Sequence, residues 1–327
     1  MPHAHLRIIT NDNETPTNES PPEATSSAAL PVSAISVASI AMLASLEIHQ
    51  WTARKHDKAV SDAIAKEKAS SERAGRYNKS LIDPGSLAEI QKVANAARAA
   101  HYTNTLPWSD TGWRILPTAN YVDYSTQMTG FKEAFAEKVR AFLQRYPDDI
   151  KRAKEFLGEL YNPDDYPVAS VLNKKFSFDI NFGPVPKGED FRVTLSEGAV
   201  KLIRADIEAR LESASADAMK DLWNRVHLVL TNMRDKLRAY QPGSEGMRTQ
   251  GVFRDTLIGN MEQLIELLPK LNLLNDPQLE AIRVRMAEEL SGLEANTLRE
   301  DHVLRREASD TADSILKTMA DYLGERS

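Results

Sequence analysis

The chain has 327 residues, a formal charge of −6 at pH 7 and no cysteine. The lack of cysteine excludes disulfides, thiolate metal sites and cysteine nucleophiles, and it fits a reducing compartment. The acidic balance argues against a nucleic-acid footprint spread over the whole molecule, but it leaves room for a local basic patch.

The N-terminal stretch is polar. Residues 1–31 are rich in Thr, Asn, Pro, Ser and Glu, so we expect a disordered tail that buries too little apolar area to offset its ordering entropy. The first ten residues lack the apolar core of a secretory signal. Pro31 and four serines interrupt the apolar stretch from Ala28 to Ile48, so we expect no membrane span and a cytoplasmic location. Val32 to Leu43 fits a short helix or a strand equally well.

Residues 32–167 are predicted to form an N-terminal helical region. Asp83 and Pro84 have the N-cap and first-turn pattern that starts a helix. A regular amphipathic helix is predicted from Tyr121 to Tyr146, with a break at Pro147. The intervening residues 101–120 are predicted to be a loop dense in aromatic residues.

A mildly basic region extends from Arg54 to Lys79. It is either a phosphate-contacting arm or a solvated helix with mixed ion pairs. Two tryptophans of the following loop either pack that loop down or present it to a partner. The resulting candidate contacts with nucleic acid or a partner are Trp51, Arg54, Lys55, Arg73, Arg76, Lys79, Trp108 and Trp113.

A β-hairpin is predicted at residues 168–195. Apolar and polar residues alternate from Phe176 to Phe182, a turn-forming cluster occupies Gly183–Gly188, and alternation resumes from Phe191 to Leu195.

A very long helix is predicted after Ser196, a favourable N-cap. Its apolar residues recur every three or four positions up to Tyr240, and one set repeats every eleven residues. This stripe is either a coiled-coil or partner surface, or the core face of a bundle helix. The candidate helix interface is Val200, Leu211, Leu222 and Met233.

Three further amphipathic helices follow a connector at residues 241–246, and they can fold back on the long helix. We therefore predict a mainly α protein, an elongated helical bundle around one long central helix with a single β-hairpin. The long helix and the C-terminal bundle occupy residues 196–327.

The sequence has no motif that marks catalysis. It lacks a Gly-x-x-x-x-Gly-Lys phosphate loop and a nucleophile elbow, and its seven histidines are scattered. Helix caps and solvated faces account for its paired carboxylates. We therefore predict a non-enzymatic protein with no cofactor and no metal.

Three runs of the sequence resemble a family of uncharacterised proteins that bacteriophages and mobile elements carry. They are IHQWTARKHDKAVSD, AGRYNKSLIDP and HYTNTLPWSDTGWRILPTANY, and the resemblance covers roughly residues 46–240. The family is a domain of unknown function, so it transfers no functional residue. Its members are often encoded near a MoxR-type AAA+ ATPase and a von Willebrand A-type protein. The resemblance implies an AAA+ ATPase as a partner and, for a phage-encoded chain, the host cytoplasm as location.

The leading functional hypothesis is a phage or mobile-element accessory protein that acts through helical protein–protein contacts, by self-association or as an adaptor of an AAA+ remodelling system. One alternative is a single-stranded DNA-binding or annealing protein, which needs the basic and aromatic residues to converge. Another is a virion structural or scaffolding protein, for which long helices and polar tails are also suitable.

Overall fold

A computed structural model of the protein describes residues 37–71, 73–109, 112–187, 196–243 and 248–324. The predicted tail at residues 1–31 lies outside these ranges. The helices are α1 Val37–Ile40, α2 Lys58–Glu67, α3 Ala88–Asn104, α4 Tyr121–Leu157, α5 Ala169–Asn173, α6 Glu197–Ala239, α7 Thr256–Leu271, α8 Pro277–Glu289, α9 Ala295–Glu300 and α10 His302–Gly324. The strands are β1 Ala41–His49, β2 Arg54–His56, β3 Asn78–Ser80, β4 Leu106–Pro107, β5 Arg114–Pro117 and β6 Ser177–Pro184. The predicted mainly α fold is confirmed.

Four strands form one antiparallel sheet in the order β4–β5–β1–β6. Strand β1 lies in its interior, with Leu43 opposite Ile115 on one side and Leu46 opposite Ile180 on the other. The prediction of a single hairpin does not match this arrangement. The first predicted strand, β6, pairs with β1, while residues 191–195 lie outside the described part of the chain. Alternation identifies a strand and its buried face, but it does not identify the partner strand.

The structure has two long helices instead of one central helix. Helix α4 has 37 residues and α6 has 43. The predicted break at Pro147 is wrong, because α4 continues through it. Proline removes one backbone hydrogen bond, but the surrounding side chains hold the helix in place. Tyr146 is buried, and Asp149, also buried, accepts a 3.0 Å hydrogen bond from Ser86 and pairs with Arg152.

Two hydrophobic cores account for most of the buried side chains. One joins α3 and α4 around Ile90 and Phe142. The other joins α6, α7, α8 and α10 and also receives residues of β1, β4 and β5. Within it, Leu222 and Met233 are fully buried, so this part of the predicted stripe is a core face.

The connector after α6 is tied back onto that helix. Gln241 and Gln250 exchange two backbone hydrogen bonds of 3.0 Å. Gly251 has a φ of +62°, and a Cβ there would lie 2.0 Å from a backbone oxygen at the end of α6, so only glycine fits without a shift. Residues 244–246 of the predicted connector lie outside the described ranges.

None of the helices in the described ranges is long and apolar enough to cross a membrane. The apolar stretch considered for a membrane span instead supplies strand β1.

Candidate partner-binding groove

The N-terminal part of α6 lies outside the buried core. Its first buried residue is Ala214, so seventeen residues from Glu197 to Ser213, about 25 Å of helix, contain no fully buried side chain. Four apolar residues recur along this segment at helical spacing and are half-buried, namely Val200, Ile203, Ile207 and Leu211. Leu202 is 74% exposed. An apolar stripe of this kind is typical of a helix that packs against another element.

Local sequence explains why this segment stays helical without a core. The Ser196 hydroxyl accepts a hydrogen bond from the backbone N–H of Ala199 at 3.4 Å, which caps the first turn. Asp206 and Arg210 form an i,i+4 ion pair of 2.8 Å. The segment also extends a helix that is already packed, so it needs no nucleation of its own.

A groove of about 460 Å³ lies beside this segment, and we call it the Trp108 groove. Its apolar wall on α6 is Ile207, Leu211 and Ala214. The opposite wall is Trp108, which directly follows β4, and Pro186, which follows β6. The complete lining is Trp108, Ser109, Pro186, Ile207, Arg210, Leu211, Ser213, Ala214 and Asp217.

The β4–β5 hairpin and the sheet position the two tryptophans. Both rings are half-buried and pack against the core that contains α6. The ring of Trp113 lies against β6, where a Cβ on Gly183 would be 3.5 Å away. Trp108 lines the groove, and Trp113 supports the hairpin that carries it.

The segment of α6 beside the groove is acidic, although the groove lining itself holds one basic and one acidic side chain, Arg210 and Asp217. From Glu197 to Asp217 the helix has three basic residues, Lys201, Arg204 and Arg210. Over the same range it has five acidic residues, Glu197, Asp206, Glu208, Glu212 and Asp217. A ligand with positive charges on its rim would therefore be attracted to this segment.

The structure places Trp51 away from this groove. Trp51 is 9% exposed, and its ring packs against Phe142 and Tyr146 with centroid distances of 6.3 and 5.8 Å. A ring enclosed in this way is part of the α3–α4 core and is not free to stack on a base.

Lys79 belongs to a buried ion-pair network. Its Nζ lies 2.8 Å from Asp165 and 3.1 Å from Asp57, and it donates to the Leu160 carbonyl at 2.7 Å. Burial opposes the charge of Lys79, but the hydrogen bonds to both carboxylates raise its pKa above the usual value. Lys55 joins the network at 2.6 Å from Asp165. Strands β2 and β3 pair as an antiparallel two-stranded ribbon, and this network ties the ribbon to the segment before α5.

The remaining basic candidates are exposed. Arg54 lies on β2, and Arg73 and Arg76 lie between α2 and β3. The structure therefore does not bring the eight candidate contacts into one site. It does bring together Trp108 and Leu211, which came from separate sequence patterns. Pro186 and Ile207 were missed as site residues, because their proximity to Trp108 depends on the sheet pairing.

Among the described residues, no group of three or more His, Asp or Glu side chains is placed to hold a metal ion. Searches against protein-family models, curated proteins and solved structures gave no match to the chain. The resemblance to the phage and mobile-element family therefore stays a prediction.

Proposed function

We propose that the protein is a non-enzymatic interaction module whose Trp108 groove binds an amphipathic, basic helix of a partner protein. The observation that carries this proposal is the row of half-buried apolar residues on α6 beside Trp108, at the spacing of helix-in-groove contacts.

The chemistry of the groove supports this choice of partner. Ile207, Leu211 and Ala214 lie three or four residues apart on one face, which suits the anchors of a second helix. Trp108 adds an aromatic side chain of the kind that dominates many interfaces. The excess of acidic residues on this part of α6 favours a partner with lysine or arginine beside its apolar stripe.

An accessory role in an AAA+ remodelling system is the biological context that the sequence resemblance implies. In that context the groove would hold a helix of the ATPase or of its substrate, and the protein would act as an adaptor. This part of the proposal rests on the resemblance alone.

The test uses two synthetic amphipathic helices as probes, one of leucine and lysine and a matched one of leucine and glutamate. Binding is followed by tryptophan fluorescence, with Trp108→Phe identifying the signal of the groove. We expect the basic peptide to bind at micromolar concentration and the acidic peptide to bind at least tenfold more weakly.

Ile207→Glu should weaken binding of the basic peptide at least tenfold, because it places a charge on the apolar wall. Leu228→Glu is the matched control, since Leu228 lies on the same helix, is 68% exposed and does not line this groove. Equal binding of both peptides, or equal losses in both variants, would overturn the proposal. A dimer by light scattering that Ile207→Glu converts to a monomer would instead assign the groove to a second copy of the chain.

A further inference from the structure

A second concave site lies where the C-terminal end of α3 meets β4, β5, α6 and α7. Its volume is about 540 Å³, within the range of small-molecule sites. Leu264, Leu267 and Val229 give it apolar walls, and Asn260 and Gln263 add neutral polar groups. We call it the Arg114–Arg225 cleft after its two arginines.

The guanidinium of Arg225 binds the carboxyl-terminal end of α3. It donates hydrogen bonds to the carbonyl oxygens of Tyr102, Thr103 and Thr105 at 3.0, 2.7 and 2.7 Å. These carbonyls belong to the negative end of the helix and the residue that follows it, so the contacts are a C-cap. Asp221, one turn before Arg225 on α6, lies 2.7 Å from the same guanidinium.

Arg114 has a different environment. It donates to the hydroxyl of Thr105 at 2.7 Å and to its carbonyl at 3.2 Å, and it stacks on the ring of Tyr102 at 4.5 Å. Within the described residues, no carboxylate forms an ion pair with Arg114, and its Nη1 donates no hydrogen bond. The charge of Asp221 favours the charged form of Arg114, but Asp221 is already ion-paired with Arg225. A partly buried guanidinium without an ion pair of its own is unusual, because buried charges are generally paired.

The charges around the cleft leave a positive excess. Two guanidinium groups line it against one carboxylate, Asp221. Burial, and then the charge of Arg225, lower the pKa of Arg114. His101 adds no positive charge at neutral pH, because burial and then Arg114 lower its pKa to about 4. An anion in the cleft would offset this excess, and the planar guanidinium matches the geometry of phosphate and carboxylate oxygens.

We propose that the Arg114–Arg225 cleft binds a small ligand through an oxyanion, a phosphate or a carboxylate, that Arg114 holds. The rest of the ligand packs against Leu264 and Leu267, and Asn260 and Gln263 donate or accept hydrogen bonds. Two large side chains that line the cleft, Tyr102 and Leu228, are 58% and 68% exposed and offer further surface for an apolar part of the ligand.

Isothermal titration with four probes tests the proposal: inorganic phosphate, uridine monophosphate, glutarate and the neutral nucleoside uridine. We expect at least one anionic probe to bind and uridine to bind at least tenfold more weakly. Binding of phosphate and the nucleotide alone would identify a phosphate ligand, and binding of glutarate alone would identify a carboxylate ligand. The proposal would be overturned if none of the anionic probes bound at about 10 mM, a concentration well above the usual dissociation constants of small ligands.

Arg114→Gln should weaken binding of the anion at least tenfold, because it removes the charge and the fork of donors. Arg98→Gln is the matched control, since Arg98 is a half-buried arginine that donates to the Ile48 carbonyl at 3.1 Å and lies outside the cleft. Equal affinity in Arg114→Gln and the wild type would overturn the assignment. If Arg114→Gln does not fold, as judged by the loss of its thermal transition, the wild-type protein alone provides the test. Its affinity for the anion should fall as sodium chloride rises from about 0.05 to about 0.5 M. An affinity that does not change with salt would refute an ionic site.

Discussion

Acidification should destabilise the protein through His101. The His101 ring is buried, its Nδ1 lies 2.8 Å from the hydroxyl of Tyr124, and Tyr102 contacts it edge-on. Burial and the nearby Arg114 charge lower its pKa from 6.5 to about 4. The unfolded chain therefore binds a proton at this site at a higher pH than the folded chain does. The contribution of neutral His101 to the free energy of unfolding is therefore fully present above about pH 6.5 and is lost as the pH falls towards about 4.

The size of this loss in unfolding free energy follows from the pKa values of His101 in the unfolded and folded chain. At about 1.36 kcal/mol per pKa unit, the loss is about 2 kcal/mol at pH 5 and about 3 kcal/mol near pH 4. Urea denaturation at pH 7 and pH 5 measures it, with His101→Gln as the reference that lacks the titrating ring. Carboxylates with lowered pKa values, such as Asp165, are common to both proteins and cancel in the comparison. The same loss of unfolding free energy in wild type and His101→Gln would refute this account of His101.

Three further predictions concern stability and are measured by urea denaturation. Leu222→Ala should lower the free energy of unfolding by about 3 kcal/mol because Leu222 is fully buried, whereas Leu211→Ala should lower it by about 1 kcal/mol because Leu211 is only partly buried. Equal losses would contradict a core that ends between these two residues. Lys79→Met should lower the free energy of unfolding by about 2 kcal/mol, because it leaves buried carboxylates without their partner. Lys55→Met should lower it by less than about 1 kcal/mol, because the Lys55 side chain is 51% exposed. The reverse order would contradict the central position of Lys79 in the ion-pair network. Gly251→Ala should cost more than about 1 kcal/mol, and a neutral result would contradict the close backbone contact.

The helices that the sequence predicted best are those whose signals are local. Ser196 caps α6, and the apolar spacing extends to the end of that helix at Ala239. Asp83, which the sequence predicted to start a helix, accepts a 2.7 Å hydrogen bond from the backbone N–H of Gly85 in the turn that leads into α3. Caps and periodicity act over a few residues, so they can be recognised without the fold.

The sheet could not be predicted in the same way. The pairing of Leu46 with Ile180 joins residues that are far apart in sequence, and nothing local to β6 indicates β1 as its partner. Pro147 shows the opposite failure, because a reliable local signal for a helix end was outweighed by packing around Tyr146 and Asp149.

The candidate sites depend on the same long-range contacts. Trp108 and Leu211 were both singled out from the sequence, but only the fold places them in one groove. Arg114 and Arg225 were not singled out, because isolated arginines give no signal until β5 and α6 bring them to the end of α3.

The position of β1 in the sheet has a consequence for biosynthesis. Its two neighbours are Arg114–Pro117 and Ser177–Pro184, so the strand is synthesised well before either of them. At roughly 5–20 residues per second, the ribosome needs on the order of 10 s to proceed from the end of β1 to the end of β6. During that interval the backbone donors and acceptors of β1 and its apolar side chains have no native partner strand on the β6 side. A nascent chain arrested before residue 184 is therefore a natural client for chaperones, and release of β6 from the exit tunnel is the step that completes the sheet.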